Sequence, residues 1–427
     1  MLRRTLLTVL PGRPMRRFFL GLVIMTGLPV WAAAQDSPDS VSVGAPAGPG
    51  DRDSTQRDMM DVVSALLGRP RLAEPEAEFQ TRSGLVYTLL PSLGYNPAYG
   101  VFIGVSVSAA GSIGPRETTQ PSTLSAGASY SSTGQVSVQL RSEIATPGNE
   151  WRLSGDWRYL DTSEDTYGLG PVEKDQSAYP MGFQLYRFYE TVFRRLGKSD
   201  FNIGIGYMHD RHAKIEDTRA QAGESTPFTE YSGGQPSTTA SSGLSLELLM
   251  DTRDNPPNAT RGVYMVTALR SFTQGLGSNH DWQGFYVEFR GFKSLPGSRR
   301  HVLAVWNYSW FSFGPSPYFD LPAIAWDRYA RTGRGYLRGR VRGNDQIYTE
   351  GEYRRTFTRD GLLGAVVFAN VTATNLGPGG SFGPLDPGGG LGVRIKFNKR
   401  SDTNLALDFG WGDGGSQGLF AGLQEVF

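Results

Sequence analysis

Apolar and polar residues alternate in short runs from about residue 83 to residue 427. The segments VSVQLRSE (136–143), FNIGIGY (201–207), FYVEFRGF (285–292) and NLALDFGWG (404–412) each place apolar side chains on one face and polar or small ones on the other. This period of two predicts β-strands. A polar face that holds Glu, Arg or Asp fits a wet lumen with lipid on the other side. A soluble β-sandwich reverses the two faces, and alternation alone does not separate these readings.

Two further features favour the membrane reading. No convincing second helix appears over residues 83–427, and aromatic residues recur near the strand ends, where interfacial girdles are expected. At about 10 residues per spanning strand, with connections of similar length, this segment holds about 16 strands. The sequence therefore predicts an all-β fold, a transmembrane antiparallel β-barrel of about 16 strands.

The first 82 residues divide differently. Arginines precede the apolar stretch FFLGLVIMTGLPVWAAAQD, which predicts a signal peptide over 1–34 with cleavage near Gln35. Residues 35–82 are predicted as a periplasmic linker, rich in Pro, Gly, Ser and Asp at its start. The linker includes one short amphipathic helix, DMMDVVSALLG, with Asp58 as its N-cap. That helix could lie on the periplasmic rim, enter the lumen or act as a tether. Residues 83–427 form the predicted outer-membrane barrel.

Composition excludes several chemistries. The chain has 42 basic and 41 acidic residues and a net charge of +1, so no overall field attracts nucleic acid. It has no cysteine, which removes disulfides and thiolate metal sites. Its four histidines include His209 and His212, whose spacing puts them on opposite faces of a strand. We expect no enzymatic activity, no metal and no cofactor.

One segment concentrates positive charge. RTGRGYLRGRVRGNDQ, residues 331–346, holds five arginines and four glycines with one acid. Such a run can bind nucleic acid or form a solvated mobile loop. A third reading is that it folds inward, because glycines permit close backbone approach and Arg forms bidentate bonds to carboxylates.

Four stretches together resemble the BamA/TamA outer-membrane superfamily, also called the bacterial surface antigen family. They are the opening hairpin LPSLGYNPAYGVFIGVSVS, the turn DTRDNPPNATRGVY, the loop GRGYLRGRVRGND followed by EGEYR, and the C-terminal segments GGGLGVRIKF, TNLALDFGWG and GLFAGLQEVF. The resemblance covers nearly all of 83–427. In this chain Gly333 replaces the family's apolar residue before the loop arginine, and Asn370 stands where relatives often carry Asp.

The resemblance implies that an extracellular loop tucks into the barrel and that its arginine meets carboxylates on the inner wall. The implied loop motif is Gly333, Arg334, Gly335 and Tyr336, and the candidate wall partners are Glu352, Asp386 and Asp408.

The resemblance also marks a periplasmic turn motif, which consists of Asp251, Arg253, Asp254 and Gly262. The oxygens of this turn could bind a cation, but the spacing of an EF-hand is absent, so we expect a purely structural turn. Phe427 is expected to serve as an assembly signal, to be a girdle aromatic, or to be both.

The family resemblance implies insertion or translocation of protein, or lipid, at the bacterial outer membrane. Large family members carry periplasmic POTRA modules, and residues 35–82 are too few for one, so a short POTRA-less member is expected. The alternative is a passive or plugged channel without insertase activity. Expected partners are outer-membrane lipid, the barrel-assembly machinery that inserts the chain itself, and client outer-membrane or secreted proteins, with no nucleic acid.

Overall fold

The computed structural model describes residues 56–66, 68, 86–96, 100–115, 118–173, 176–296, 298–377, 379–399 and 402–427. The predicted signal peptide and most of the predicted linker lie outside the described residues. The strands are β1 Val86–Asn96, β2 Gly100–Gly111, β3 Ser122–Ser131, β4 Val136–Ala145, β5 Trp151–Thr166, β6 Tyr179–Arg195, β7 Phe201–Asp217, β8 Thr238–Asp251, β9 Gly262–Phe272, β10 Trp282–Ser294, β11 His301–Phe313, β12 Asp345–Thr356, β13 Leu363–Thr374, β14 Asp386–Asn398, β15 Thr403–Gly412 and β16 Gln417–Leu423. Within these ranges three short α-helices occur, which are α1 Met59–Leu66, α2 Thr218–Gln221 and α3 Pro227–Ser232.

The sixteen strands form one antiparallel sheet in which each strand pairs with the next along the chain. This confirms the predicted fold class and strand number. The sheet curls into a barrel, because β1 and β16 approach within 8 Å between Cα atoms. Within the described residues no hydrogen-bonded ladder joins β1 to β16. We call this boundary the seam.

The two faces of the sheet are inverted relative to a soluble protein. Outward-facing apolar residues are exposed, and Ile103 on β2 and Ile205 on β7 are 62% and 66% exposed. Inward-facing charged residues such as Glu288 and Arg290 on β10 are buried. A soluble sandwich would bury the apolar face, so this arrangement decides between the two readings of the alternation. Among the described residues, no helix is long and apolar enough to cross a membrane.

Connection length distinguishes the two ends of the barrel. The long connections 167–178, 218–237 and 314–344 all join an odd strand to the following even one, so they lie at the same end. The opposite end carries short turns such as 196–200. We name these the long-loop end and the short-turn end. In outer-membrane barrels the short turns face the periplasm and the longer loops lie at the opposite end.

Helix α1 lies at the short-turn end and packs against β14. Asp58 caps it reciprocally with Asp61, because each carboxylate accepts the other's backbone N–H at 3.0 Å. Lys399, in the β14–β15 turn, places its Nζ 2.9 Å from Asp61 Oδ2. The backbone N–H of Arg57 also donates to the carbonyl of Asp360 in the β12–β13 turn. Of the three placements considered for this helix, the structure shows the one on the rim of the barrel.

The turn motif connects β8 to β9 at the short-turn end. Arg253 forms a bidentate pair with Asp251, with both N–O distances at 2.9 Å. Asp254 accepts hydrogen bonds from the Thr260 backbone N–H at 2.9 Å and from its hydroxyl at 2.6 Å. These carboxylates are thus engaged within the turn. Gly262 has φ +100°, and a Cβ there would lie 2.3 Å from the carbonyl oxygen of Thr252.

Replacing Gly262 by alanine tests this close approach, and Gly277→Ala provides a matched control. Gly277 has nearly the same φ, +105°, but the nearest atom to an added Cβ is 4.0 Å away. Both variants incur the backbone strain of a left-handed alanine, about 1–2 kcal/mol. We expect Gly262→Ala to lower the free energy of unfolding clearly more than Gly277→Ala, as measured by urea unfolding in detergent micelles. Equal losses of unfolding free energy in the two variants would contradict a steric requirement for glycine at position 262.

Candidate functional site

The connection between β11 and β12, residues 314–344, folds back into the barrel, and we call it the lumen loop. Its two arms pair with each other: Ile324 N–H donates to the carbonyl of Val341 and Gly339 N–H to that of Ile324, both at 3.0 Å. One arm also pairs with the β5–β6 loop through Gly170 N–H and the Arg342 carbonyl at 2.7 Å. The arginine-rich segment is therefore an ordered, inward-folded hairpin, as the third reading of that run predicted.

Glycines bring the tip of the lumen loop against β15. Gly335 has φ +114°, and a Cβ there would lie 2.6 Å from the carbonyl oxygen of Trp411. A Cβ on the facing Gly410 would lie 2.8 Å from the backbone nitrogen of Gly335. Tyr336 packs where a side chain on Gly412 would stand, 2.4 Å from the tyrosine ring. The backbones can approach this closely only because both sides lack a side chain.

Arg334 projects from this tip into a cluster of buried carboxylates. Its Nη2 lies 2.5 Å from Glu350 Oε1 and also contacts Glu352, while its Nη1 lies 2.7 Å from Asp408 Oδ2. The guanidinium carbon stands 3.6 Å from the ring centre of Phe368. Arg334 is 1% exposed, so its charge has lost its water and is compensated by these carboxylates.

The cluster continues along the inner wall as an alternating chain of charges. Glu352 Oε2 accepts from Arg354 Nε at 2.7 Å. Asp408 Oδ1 lies 2.5 Å from Arg394 Nη1, and Arg394 Nε lies 2.7 Å from Glu425 Oε2. We call these seven residues the arginine–carboxylate cluster, and they are Arg334, Glu350, Glu352, Arg354, Arg394, Asp408 and Glu425.

The structure corrects one predicted partner and adds another. Asp386 is not among the carboxylates that contact Arg334; its Oδ1 instead accepts from the backbone N–H of Val172 at 2.7 Å. Asp386 opens β14 at the long-loop end, whereas Asp408 lies within β15. Glu350 was missed, although it shares one strand face with Glu352 in EGEYR. Alternation by two residues would have identified it.

Asn370, the position where relatives often carry Asp, contacts the same site. Its Nδ2 donates to the backbone carbonyl of Arg334 at 3.0 Å and lies 3.3 Å from Glu350 Oε2. An aspartate could not donate these bonds and would add a further negative charge beside Glu350. The amide thus binds the loop backbone rather than the guanidinium.

The other arginines of the lumen loop reach different parts of the wall. Arg328 pairs with Glu143 on β4 at 2.6 Å. Arg342 pairs with Glu164 on β5 at 2.7 Å. Arg340 stacks on Tyr167 of the β5–β6 loop and makes no ion pair within the described residues. The contacts fix the loop on several sides of the lumen at once.

The residues after β16 turn into the lumen. Gln424 has φ +81°, which redirects the chain away from the sheet. Phe427 is 3% exposed, and its ring lies 5.2 Å from that of Trp306 and 6.1 Å from that of Phe292. Arg331 of the lumen loop donates to the carbonyl of Val426 at 3.1 Å. Phe427 therefore lies inside the barrel rather than in a lipid-facing girdle, and its role as an assembly signal stays a prediction.

The base of the lumen loop carries a buried acid at the long-loop end. Asp320 Oδ2 accepts from the Ser241 hydroxyl at 2.6 Å, and Oδ1 lies 3.6 Å from His212 Nδ1. Burial raises the pKa of the Asp320 carboxyl to about 7, and the nearby Asp210 adds to the rise. Arg187 and Arg342 oppose it more weakly. In the described part of the chain, no group of three or more His, Cys, Asp or Glu side chains is placed to hold a metal.

These observations define a class: an outer-membrane type of β-barrel in which a long loop returns to the lumen and anchors an arginine among wall carboxylates. Residues 104–344, more than half of the chain, match the Omp85 superfamily domain. The chain belongs to the Omp85 superfamily, which confirms the resemblance seen in the sequence.

Solved structures to which the chain is similar include BamA from Haemophilus ducreyi lacking POTRA domains 1–3, which is 15% identical with a TM-score of 0.49; the match covers 79% of this chain and 70% of that chain. CdiB from Acinetobacter baumannii is 10% identical with a TM-score of 0.48, over 78% and 59%. CdiB from Escherichia coli is 9% identical with a TM-score of 0.48, over 79% and 62%. The chain thus spans less than two thirds of the length of either CdiB structure. No curated protein matches the chain significantly in sequence.

Arg334→Ala tests the energetic weight of the arginine–carboxylate cluster. The substitution leaves Glu350 buried without its cation, whereas Glu352 keeps Arg354 and Asp408 keeps Arg394. Breaking a buried ion pair in this way costs about 3–5 kcal/mol. Arg340→Ala is the matched control, because it removes an arginine side chain of the same size from the same loop without removing an ion pair. Urea unfolding followed by tryptophan fluorescence measures both. A loss for Arg334→Ala no larger than that for Arg340→Ala would contradict the assignment.

Asp320→Asn tests the buried acid through pH. An unfolded aspartate has a pKa of about 3.9, so between about pH 4 and pH 7 the folded chain holds a proton that the unfolded chain lacks. The free energy of unfolding should therefore fall as pH rises through this window, by up to about 1.4 kcal/mol per unit. Asparagine mimics the neutral acid and should flatten the dependence relative to wild type between pH 5 and pH 8. Parallel curves for both proteins would refute the assignment.

Proposed function

We propose that this barrel acts at the bacterial outer membrane in the insertion or translocation of proteins. Membership of the Omp85 superfamily supports the general class. The observation that carries the proposal is the seam, where neither β1 nor β16 has a ladder partner across the boundary within the described residues. Strand edges of this kind offer unpaired backbone groups that can pair with an incoming strand.

The lumen loop is connected to the strands that border the seam. Through Arg334 it contacts Asp408 on β15, and through Arg331 it contacts the backbone after β16. Arg394 on β14 then joins Asp408 to Glu425. A displacement of the loop would therefore alter the contacts of the last three strands together. This supports a role for the loop in controlling access to the β16 edge.

The partners follow from the same proposal. Outer-membrane lipid surrounds the exposed apolar face, the cell's barrel-assembly machinery inserts the chain itself, and the clients are outer-membrane or secreted proteins. No step of this activity requires a catalytic group, a metal or a cofactor.

A plugged barrel without insertase activity is the second candidate, and the packing at the long-loop end favours it. Tyr318 and Phe319 of the lumen loop are buried against Phe183 of β6 and Phe228 of α3. The ring centres of Phe183 and Phe319 lie 4.5 Å apart. Such packing closes this part of the lumen, and removal of the loop should raise conductance under either function, so conductance does not separate them.

The rate at which a urea-denatured reporter barrel folds into liposomes separates the two functions. The full chain is refolded into the liposomes, and protein-free liposomes give the basal rate. We expect acceleration by wild type and by Arg340→Ala, and a several-fold smaller effect with Arg334→Ala. Glu352→Gln, which weakens the cluster while keeping Arg334, should lie between them.

Each variant is first shown to be folded by its heat-modifiable migration on gels. No acceleration by folded wild type would reject insertase activity in favour of the plugged barrel. Equal acceleration by all four proteins would support the activity but remove the arginine–carboxylate cluster from its mechanism.

A further inference from the structure

Two recesses adjoin each other on the outer wall of the barrel, far from the lumen. The upper one, near the long-loop end of β6, β7 and β8, has a volume of about 380 Å³. The lower one lies between the outward side chains of β4 to β7 and has a volume of about 330 Å³. Tyr186 lines both. We refer to them as the upper recess and the lower recess.

The upper recess is cationic. Its lining includes Arg211 and Lys214 with the polar side chains of Gln184, Ser237 and Thr238, and it includes no acid. Arg211 and Lys214 are both exposed and make no ion pair within the described residues.

A backbone irregularity places the second cation of the upper recess. Ala213 pairs with Gln184 while Glu216 pairs with Gly182, so two residues of β7 face one residue of β6 at this point. Lys214 lies in this bulge with φ +49°, an unusual conformation for lysine. Bulges re-aim side chains in this way, and here the bulge directs an extra outward residue beside Arg211. The nearby Asp161 accepts from Gln184 Nε2 at 2.7 Å and does not line the recess.

The lower recess is aromatic and apolar. Trp157 stacks on Phe188 with ring centres 5.3 Å apart, and Tyr159 lies against Tyr186 at 5.1 Å. Leu140 on β4 contributes to the same wall. Trp157, Tyr186 and Phe188 are between 39% and 43% exposed. These residues continue the exposed apolar band of the barrel, so lipid chains contact them.

The order of residues along β7 indicates the level in the membrane at which the two recesses lie. On its outward face, apolar Ile203, Ile205 and Tyr207 are followed by His209 and then by Arg211. The first cation therefore stands just beyond the apolar band, at the level where aromatic belts and lipid headgroups meet. A cationic recess directly above an aromatic groove matches a molecule with an anionic head and an apolar chain.

We propose that this part of the outer wall binds an anionic phospholipid-type ligand, a lipid whose phosphate occupies the upper recess between Arg211 and Lys214 and whose acyl chain lies in the lower recess. The guanidinium and ammonium groups donate charge-assisted hydrogen bonds to the phosphate oxygens. The site is independent of the lumen loop and of the proposed insertase activity.

Native mass spectrometry of the full chain refolded in detergent micelles tests the site, with dioleoyl phosphatidylglycerol and dioleoyl phosphatidylcholine titrated separately. Wild type should retain the anionic lipid preferentially. The double variant Arg211→Gln/Lys214→Gln should weaken that retention by roughly 30-fold, about fivefold per cation, and leave phosphatidylcholine unaffected. The matched control is Arg194→Gln/Lys198→Gln, which removes two exposed cations from the short-turn end of the same wall and should match wild type.

Two further arms identify the source of the anion. Trp157→Ala/Phe188→Ala should reduce retention of the lipid with the cations intact, and inorganic phosphate alone should not be retained. Retention of inorganic phosphate would overturn the lipid assignment in favour of a free-anion site. Equal retention of both lipids by wild type, or equal weakening by the double variant and its matched control, would overturn the site itself. Heat-modifiable migration establishes that each variant is folded.

Discussion

The burial of Arg334 is the constraint on which the rest of the site depends. A guanidinium that is 1% exposed inside a barrel needs several hydrogen-bonded anions around it, or its desolvation destabilises the fold. Glu350, Glu352 and Asp408 supply them from β12 and β15. Their excess negative charge in turn requires Arg354 and Arg394. This part of the lumen is therefore polar around the charge that the loop brings into it, and the outer face contacts lipid.

The same constraint explains the glycines around the cluster. The guanidinium reaches Asp408 only if the loop backbone touches β15, and that contact exists because Gly335 and Gly410 both lack side chains. A loop anchored this closely couples to the strands beside the seam, since Arg394 links Asp408 to Glu425. The position of the lumen loop is thus coupled to the contacts of the last strands, whichever activity the barrel performs.

The outer wall follows a separate logic. There the cations Arg211 and Lys214 lie at the polar edge of an apolar band, and no carboxylate of the wall pairs with them among the described residues. In the lumen, the cluster arginines are neutralised by carboxylates of the same chain. On the outer face, Arg211 and Lys214 are instead exposed to the surrounding membrane. The ion-paired arginines of the arginine–carboxylate cluster therefore form a structural site, whereas Arg211 and Lys214 on the outer wall form the proposed binding surface.

The sequence by itself determined the strands, their number and the importance of the GRGY loop, because a period of two and glycine–arginine motifs are local properties. Glu352 and Asp408 were also within reach, since motif spacing names their strand faces. Glu350 could also have been identified from its alternation with Glu352. Asp386 was assigned wrongly, because which carboxylate meets Arg334 depends on how far the loop descends. Only the tertiary structure decided that depth, the inward turn of Phe427 and the meeting of Arg211 with Lys214 at a bulge. The depth of the loop and the inward turn of Phe427 depend on packing between segments distant in sequence, and the bulge depends on the register between β6 and β7, which no local pattern encodes.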